Sequence, residues 1–261
     1  MNIKLFLCFV MTLQLSLLTT SKANEKFKYY QKKVWFNKSE SFFYRTAKPQ
    51  TMDEGKSYPL LVFFHGAGGR GEDNKKQLLD AGGLESFEKN KLRTKHQSHI
   101  FAGQVPHGKK WVNVSWSIFG HKMPKISDSM QMAFEALDAY IQDPKNQVDS
   151  KRIYVMGLSM GGYGTWDAIQ RRPDFFAAAV PICGGGDKSL APKLVDIPIW
   201  AWHGDKDSVI TPSRSRDMIN AISNAGGSPK YSEIKGRGHN SWVDCWNSDK
   251  LWKWLYSQSK D

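Results

Sequence analysis

The sequence predicts an α/β fold: a mostly parallel sheet with helices on both faces, preceded by antiparallel N-terminal strands. Three observations predict it. Continuous apolar runs closed by glycine, "YPLLVFFHG", "RIYVMG", "FAAAVPICGGG" and "IPIWAWHG", have the character of strands buried on both faces, as in parallel sheets. Helical patterns separate those runs, and strand, helix, strand in repetition marks parallel crossover units. Residues 27 to 46, "FKYYQKKVWFNKSESFFYRT", instead alternate roughly between aromatic and polar side chains, which reads as two antiparallel strands.

Taken in order, the chain opens with Lys4 as a short positive region, an apolar stretch from Leu5 to Leu18, and the small residues Ser21 and Ala23. This is the layout of a cleavable export signal, with cleavage expected after Ala23. The apolar stretch is shorter than the ~20 residues that span a bilayer. Residues 24–261 then form one expected domain, 238 residues long (261 minus 23), a length one α/β core can use fully. "KPQTMDEGKSYP" is a turn-rich connection, and "HIFAGQVP" is a weaker buried run. Residues 126 to 142 put Met130, Phe134, Leu137 and Ile141 on one helical face, with Ser127 or Asp128 as N-cap. Residues 160 to 171 and 213 to 224 also read as helices, "KYSEIKGRGH" as a last strand, and "SDKLWKWLYSQ" as a closing helix.

The formal charge of +12 becomes +10 after cleavage, because the signal segment holds Lys4 and Lys22 and no acid. The lysines are scattered, without an arginine and aromatic stripe, so no nucleic-acid partner is expected. An anionic glycan or cell surface suits an exported basic protein better. The mature chain is expected to be soluble, with no membrane association, in the periplasm or outside the cell. Cys183 and Cys245 survive processing, and export permits a disulfide between them as readily as two buried thiols.

In sheets of this class ligands bind at the carboxyl ends of the strands. The clusters "HGAGGRGEDN", "GLSMGG", "CGGGD", "HGDKD" and "GRGHNSW" should therefore share one rim. Gly157-Leu158-Ser159-Met160-Gly161 fits GxSxG between a strand and a helix, where a serine occupies a strained turn and the flanking glycines let backbone approach. A serine hydroxyl needs a base, and the base needs an orienting acid. Of seven histidines only His239 lies after Ser159 and just beyond the last strand; His65 and His203, each before a glycine at a strand end, suit loop bracing. Asp207 and Asp205 are the candidate acids. Asp205 would hold the loop through its own backbone hydrogen bonds, which leaves Asp207 to reach the histidine, with Glu233 and Asp244 as distant alternatives. For an oxyanion hole the candidates are the amides of Met160 and of Ala67 in the "HGAGGRG" loop. That loop is not a phosphate cradle, because no GK[ST] follows it.

These motifs, with "GLSMGGYGTWDAIQRRPDFFAAAVPICGG", together resemble the α/β-hydrolase superfamily. More narrowly they are similar to its secreted phospholipase/carboxylesterase and predicted-peptidase branch, akin to dienelactone-hydrolase-like, feruloyl and polyhydroxyalkanoate esterases. The resemblance covers about residues 58 to 256 and implies Ser159 as nucleophile, Asp207 as acid and His239 as base. It implies no cofactor and no metal; "HQSH" at 96 to 99 has a metal-like spacing but reads as surface. An ester substrate is expected, acylated carbohydrate or a small acyl or aryl ester, with Trp116 and Trp242 as rim aromatics able to contact it. A peptidase on the same triad and a noncatalytic glycan-binding homologue are the alternatives. The intact serine, acid, histidine order argues against the last.

Overall fold

The computed structural model describes residues 27–37, 40–117 and 120–261, so the expected signal peptide lies outside the described residues. Eight strands build one sheet: β1 Gln31–Asn37, β2 Glu40–Ala47, β3 Tyr58–Phe64, β4 His99–Gln104, β5 Val148–Leu158, β6 Ala178–Ile182, β7 Trp200–Gly204 and β8 Lys230–Ile234. Their order across the sheet is β1-β2-β4-β3-β5-β6-β7-β8. The β1–β2 and β2–β4 pairs are antiparallel and the others parallel, as the alternation near the N-terminus and the apolar runs after it predict.

The helices that frame the core and the site are α1 Asp128–Gln142, α2 Met160–Arg171, α3 Ser213–Asn224, α4 Trp242–Trp246 and α5 Asp249–Tyr256. Ser127 caps α1, its Oγ accepting from the Met130 amide (3.1 Å) and donating to the Trp111 carbonyl (2.7 Å). Strand β3 shows how the sheet divides the core. Leu60, Val62 and Phe64 pack with Met130 and Leu137 of α1 and Trp166 of α2, while Leu61 and Phe63 pack with Leu251, Trp252 and Leu255 of α5. Alternate side chains of a strand point to opposite faces, so a seven-residue strand that is buried throughout needs helices on both sides.

The reading of "HQSH" as surface is corrected here. His99 lies in β4 and is fully buried, with Nδ1 2.9 Å from the Tyr140 hydroxyl, and His96 stacks on the Tyr256 ring at 3.9 Å. A histidine at the start of a short, lysine-flanked strand carries no local sign that its neighbours will cover it. The helices Lys76–Leu79, Gly83–Lys89 and Leu92–His96 likewise gave no signal, being too short for a 3.6-residue period to register. Of the two states open to the cysteines, the structure has the buried thiols: Cys183 and Cys245 are both free.

Candidate active site

Strand β5 ends at Leu158 and α2 begins at Met160, so Ser159 alone makes the turn, at φ 54°, ψ −117°. Holding a non-glycine residue at positive φ costs about 1–3 kcal/mol, and the surroundings must over-determine it. They do so through backbone bonds on both sides: the Ser159 amide donates to the Ile182 carbonyl (2.9 Å), and the Tyr163 amide donates to the Ser159 carbonyl (3.1 Å). The glycines on either side are sterically required. A Cβ on Gly157 would fall 2.4 Å from the Gly161 carbonyl oxygen, and one on Gly161 would fall 2.0 Å from that of Phe64.

Into this turn reaches His239, from the loop after β8. Its Nε2 lies 2.9 Å from Ser159 Oγ, and its Nδ1 lies 2.7 Å from Asp207 Oδ2. A ring nitrogen facing a carboxylate must carry the proton, which leaves Nε2 as the acceptor for the serine hydroxyl. Asp207, whose side chain is fully buried, uses its other oxygen on its own loop, Oδ1 accepting from the amides of Val209 (2.9 Å) and Ile210 (3.0 Å). His203 adds a further donor to Oδ2 (3.1 Å) and is itself fixed by the Ile210 carbonyl and Ser215 Oγ. Burial alone would raise the Asp207 pKa, but the bonds from His203, His239 and the Ile210 amide outweigh it and hold the carboxyl well below the usual range.

The division of labour expected of the two aspartates needs a correction. Asp207 itself closes the turn, since a carboxylate has two oxygens and serves loop and histidine at once. Asp205 instead accepts from the Gly236 amide (2.6 Å) and so ties the acid loop to the segment leading to His239. Glu233 and Asp244 are committed to Arg216 and Arg237. The two loops cross at Gly204, where a Cβ would fall 2.2 Å from the carbonyl oxygens of both Arg237 and Gly238. Gly204→Ala is therefore expected to lower kcat/KM about 10- to 100-fold by displacing His239, and to destabilise by about 1–3 kcal/mol. Steady-state kinetics and urea unfolding of that variant check both.

Met160 opens α2, so its amide is among the first-turn N–H groups that have no acceptor within the helix. Ala67 opens the 3-10 turn Ala67–Gly69 directly after β3. His65 braces this loop from beneath: Nδ1 donates to the Gly66 carbonyl (2.6 Å), Nε2 accepts from the Val105 amide (3.0 Å), and its carbonyl accepts from the Trp111 indole (3.0 Å). Gln104 holds the Gly69 carbonyl (3.1 Å). The Asp80 carboxyl lies against the loop so closely that a Cβ on Gly68 would sit 2.4 Å from Oδ1. Burial raises its pKa. Neither Gln104 nor Asp80 stood out in the sequence, because each is an isolated polar residue that no local pattern links to the loop it supports.

Burial pushes His65 and His99 down to about 4, against an ordinary value near 6.5. Between those values the unfolded chain binds protons that the folded chain does not. Their contribution to stability is thus complete above about pH 6.5 and declines as pH falls to about 4. Urea midpoints are expected to drop between pH 7 and pH 4.5, and a midpoint that does not move would contradict two buried neutral imidazoles.

Cys183, Asp207 and His239 form a group of three potential metal-ligating atoms within 4.8 Å. The donor set does not suit a metal. Burial raises the Cys183 pKa, keeping it a thiol that donates to the His239 carbonyl (3.4 Å), and Asp207 and His239 are bonded to one another. Of the rim aromatics, Trp242 begins α4 and packs edge to face on His239 with centroids 5.2 Å apart. Trp116 is half-buried, with Lys110 Nζ 4.9 Å from its ring centre, and its carbonyl accepts from the Tyr163 hydroxyl (3.4 Å).

Comparison with known proteins agrees with this geometry. A model of the prolyl oligopeptidase family matches residues 106–189, a span that contains Ser159 but neither Asp207 nor His239. Poly(3-hydroxyalkanoate) depolymerase C of Paucimonas lemoignei is 26% identical over 124 residues, which are 35% of this chain and 30% of the depolymerase. The crystal structure of a thermostable esterase superposes with a TM-score of 0.82 at 30% identity, covering 89% of this chain and 64% of that one. The chain thus spans under a third of the depolymerase and just under two thirds of the esterase. A ferulic acid esterase shares the fold at a TM-score of 0.61 and 18% identity, over 87% of this chain and 96% of its own. With its sheet order and its strand-turn-helix serine, the chain belongs to the α/β-hydrolase superfamily, in its branch of esterases and peptidases.

Proposed function

We propose that this protein is an exported serine carboxylic-ester hydrolase that acts through an acyl-enzyme on Ser159, on acylated carbohydrate or on small acyl or aryl esters. The observation that carries the reading is the unbroken relay from Ser159 Oγ to His239 (2.9 Å) to Asp207 (2.7 Å), built on a strained turn. In the proposed reaction Oγ attacks the ester carbonyl while His239 Nε2 takes its proton. The amides of Met160 and Ala67 receive the oxyanion, His239 returns the proton to the leaving alcohol, and water repeats the sequence to release the acid. Export rests on residues 1–23, which have the layout of a signal peptide.

Ester rather than amide hydrolysis is supported by the likeness to a thermostable esterase at 30% identity. The match to the prolyl oligopeptidase family favours peptide hydrolysis as a second reading. A screen on p-nitrophenyl acetate and butyrate, feruloyl and acetyl glycans, and peptide p-nitroanilides decides between them. Ester kcat/KM is expected to exceed peptide kcat/KM throughout, and the reverse order would overturn the ester reading. Trp242, edge-on to His239, is proposed to contact aryl leaving groups. Trp242→Ala is expected to raise KM for aryl esters about 3- to 10-fold, the magnitude of one aromatic contact, and an unaltered KM would remove that role.

A further inference from the structure

The cluster "HGAGGRGEDN" runs on past the Ala67 turn to Asn74, which bonds to the last residue of β4 and to β1 and β2 at the sheet edge. We propose that the N-terminal hairpin β1–β2 positions the oxyanion hole from there. Asn74 is the positioning residue: it joins Lys33 and Arg45 of the hairpin to Gln104, and Gln104 holds the loop that carries Ala67. The inference rests on the reading of Ser159 as an acyl-enzyme nucleophile with Ala67 as an oxyanion donor, and it gives two strands outside the parallel sheet a part in the chemical step.

The first argument is how Asn74 is held. The residue is only 5% exposed and sits at φ 52°, in the left-handed region that asparagine enters more readily than other side chains. Each of its polar groups is bonded. The amide donates to Gln104 Oε1 (2.7 Å), and the carbonyl accepts from Arg45 Nε (2.6 Å). Nδ2 donates to the Lys33 carbonyl (3.0 Å), and Oδ1 accepts from Gln77 Nε2 (2.7 Å). Arg45 is itself buried and places Nη1 on the Tyr30 carbonyl (2.7 Å), just ahead of β1. Buried polar groups satisfied to this degree rigidify one arrangement of the backbone they join.

The second argument is where the chain of bonds ends. Gln104 is fully buried, and its Nε2 donates both to the Gly69 carbonyl (3.1 Å) and to Asp73 Oδ1 (2.8 Å), while Oε1 takes the Asn74 amide. Turned over, that side chain would set donor against donor at Asn74 and acceptor against acceptor at Gly69, so it has one orientation. Asp73 Oδ1 also accepts from the amides of Lys75 (3.0 Å) and Lys76 (3.1 Å), which fixes the far end of the loop. Gly69 closes the 3-10 turn that Ala67 opens, so Gln104 grips the turn two residues from the amide that receives the oxyanion. Strand order supplies the third argument. The loop leaves β3, and β4 lies between β3 and β2, so the hairpin reaches it through Gln104, the last residue of β4. An oxyanion donor acts only at about 2.7–3.1 Å from the developing charge, so a displacement of about 1 Å weakens the chemical step rather than substrate binding.

The test measures Asn74→Gly, Arg45→Met, Gln104→Leu and the Arg45→Met, Gln104→Leu double variant, with p-nitrophenyl butyrate and a peptide p-nitroanilide as substrates. Glycine adopts φ 52° freely and keeps both main-chain bonds, so Asn74→Gly removes only the side-chain bonds to Lys33 and from Gln77. Turnover is counted per Ser159 labelled by a 4-nitrophenyl phosphonate ester, so that unfolded molecules do not enter it. Each single variant is expected to lose kcat about 10- to 100-fold with KM within about 2-fold. The inhibition constant of a trifluoromethyl ketone should rise by the same factor, because its carbonyl oxygen becomes an oxyanion when Ser159 Oγ adds to the carbonyl carbon and His239 takes the proton. The double variant should lose no more than the worse single, since both changes cut one path, and losses that multiply would overturn that path. Unaltered kcat and inhibition constant in Asn74→Gly and Arg45→Met, or a raised KM at constant kcat, would overturn the inference and leave the esterase reading standing. Wild-type cleavage of the peptide and not the ester would overturn the ester reading alone, and the same variants then decide the inference on the peptide. A wild type that cleaves neither would overturn both.

Discussion

Ser159→Ala is expected to lower kcat/KM for p-nitrophenyl butyrate by about 10⁴-fold or more, a loss typical of removing a nucleophile from such a relay. The residue removed is the one whose Oγ meets His239 Nε2 at 2.9 Å, and no other serine makes a bond to that nitrogen among the described residues. Stability should hardly change. The turn is fixed by backbone bonds from the Ser159 amide and to its carbonyl, both of which alanine keeps, and an alanine at φ 54° is strained no more than a serine. Intact unfolding behaviour with lost turnover is the expected pair of results. Lost turnover with a collapsed fold would instead mark Ser159 as structural.

Asp207→Asn is expected to reduce kcat by about 10⁴-fold and also to destabilise, by about 1–3 kcal/mol. The reason is an arithmetic of donors. Both oxygens of Asp207 accept only: Oδ1 from the Val209 and Ile210 amides, Oδ2 from His203 and His239. An asparagine must turn its NH₂ toward one of those two sets. Facing the amides it opposes donor with donor and loosens the loop. Facing the histidines it drives the His239 proton from Nδ1 to Nε2, where it can no longer accept from Ser159. The pH dependence of stability follows from the depressed carboxyl of Asp207. Its contribution is present above the unfolded value near 4 and is lost as pH falls below it toward the folded value. The gap between wild type and Asp207→Asn in urea midpoint should therefore be widest above pH 4.5 and narrow on acidification, and a gap that stays constant down to pH 2.5 would contradict the carboxylate's role.

The sheet was legible because its central strands are apolar on both faces, as in "YPLLVFF", and because α1 repeats its apolar residues at helical spacing from Met130 to Ile141. The serine, aspartate and histidine were legible for a different reason: each ends a strand or begins the loop after it, where chain order limits the choice. What stayed hidden are residues whose role is set by long-range packing. His99 looked exposed beside its lysines and is covered by Tyr140 from α1. Asp80 supports the Ala67 loop through contacts that no local pattern records. The state of Cys183 and Cys245 was also beyond sequence, since a disulfide depends on a geometry that spacing does not encode.

The central claim is that Ser159 is the nucleophile of an acyl-transfer relay. Its most direct measurement is the mass of the protein after reaction with a 4-nitrophenyl phosphonate ester, followed by peptide mapping. The expected result is one phosphonyl adduct per chain, on the peptide that contains Ser159, together with loss of esterase turnover in proportion to labelling. An adduct on another residue, or turnover that persists in the fully labelled protein, would contradict the account.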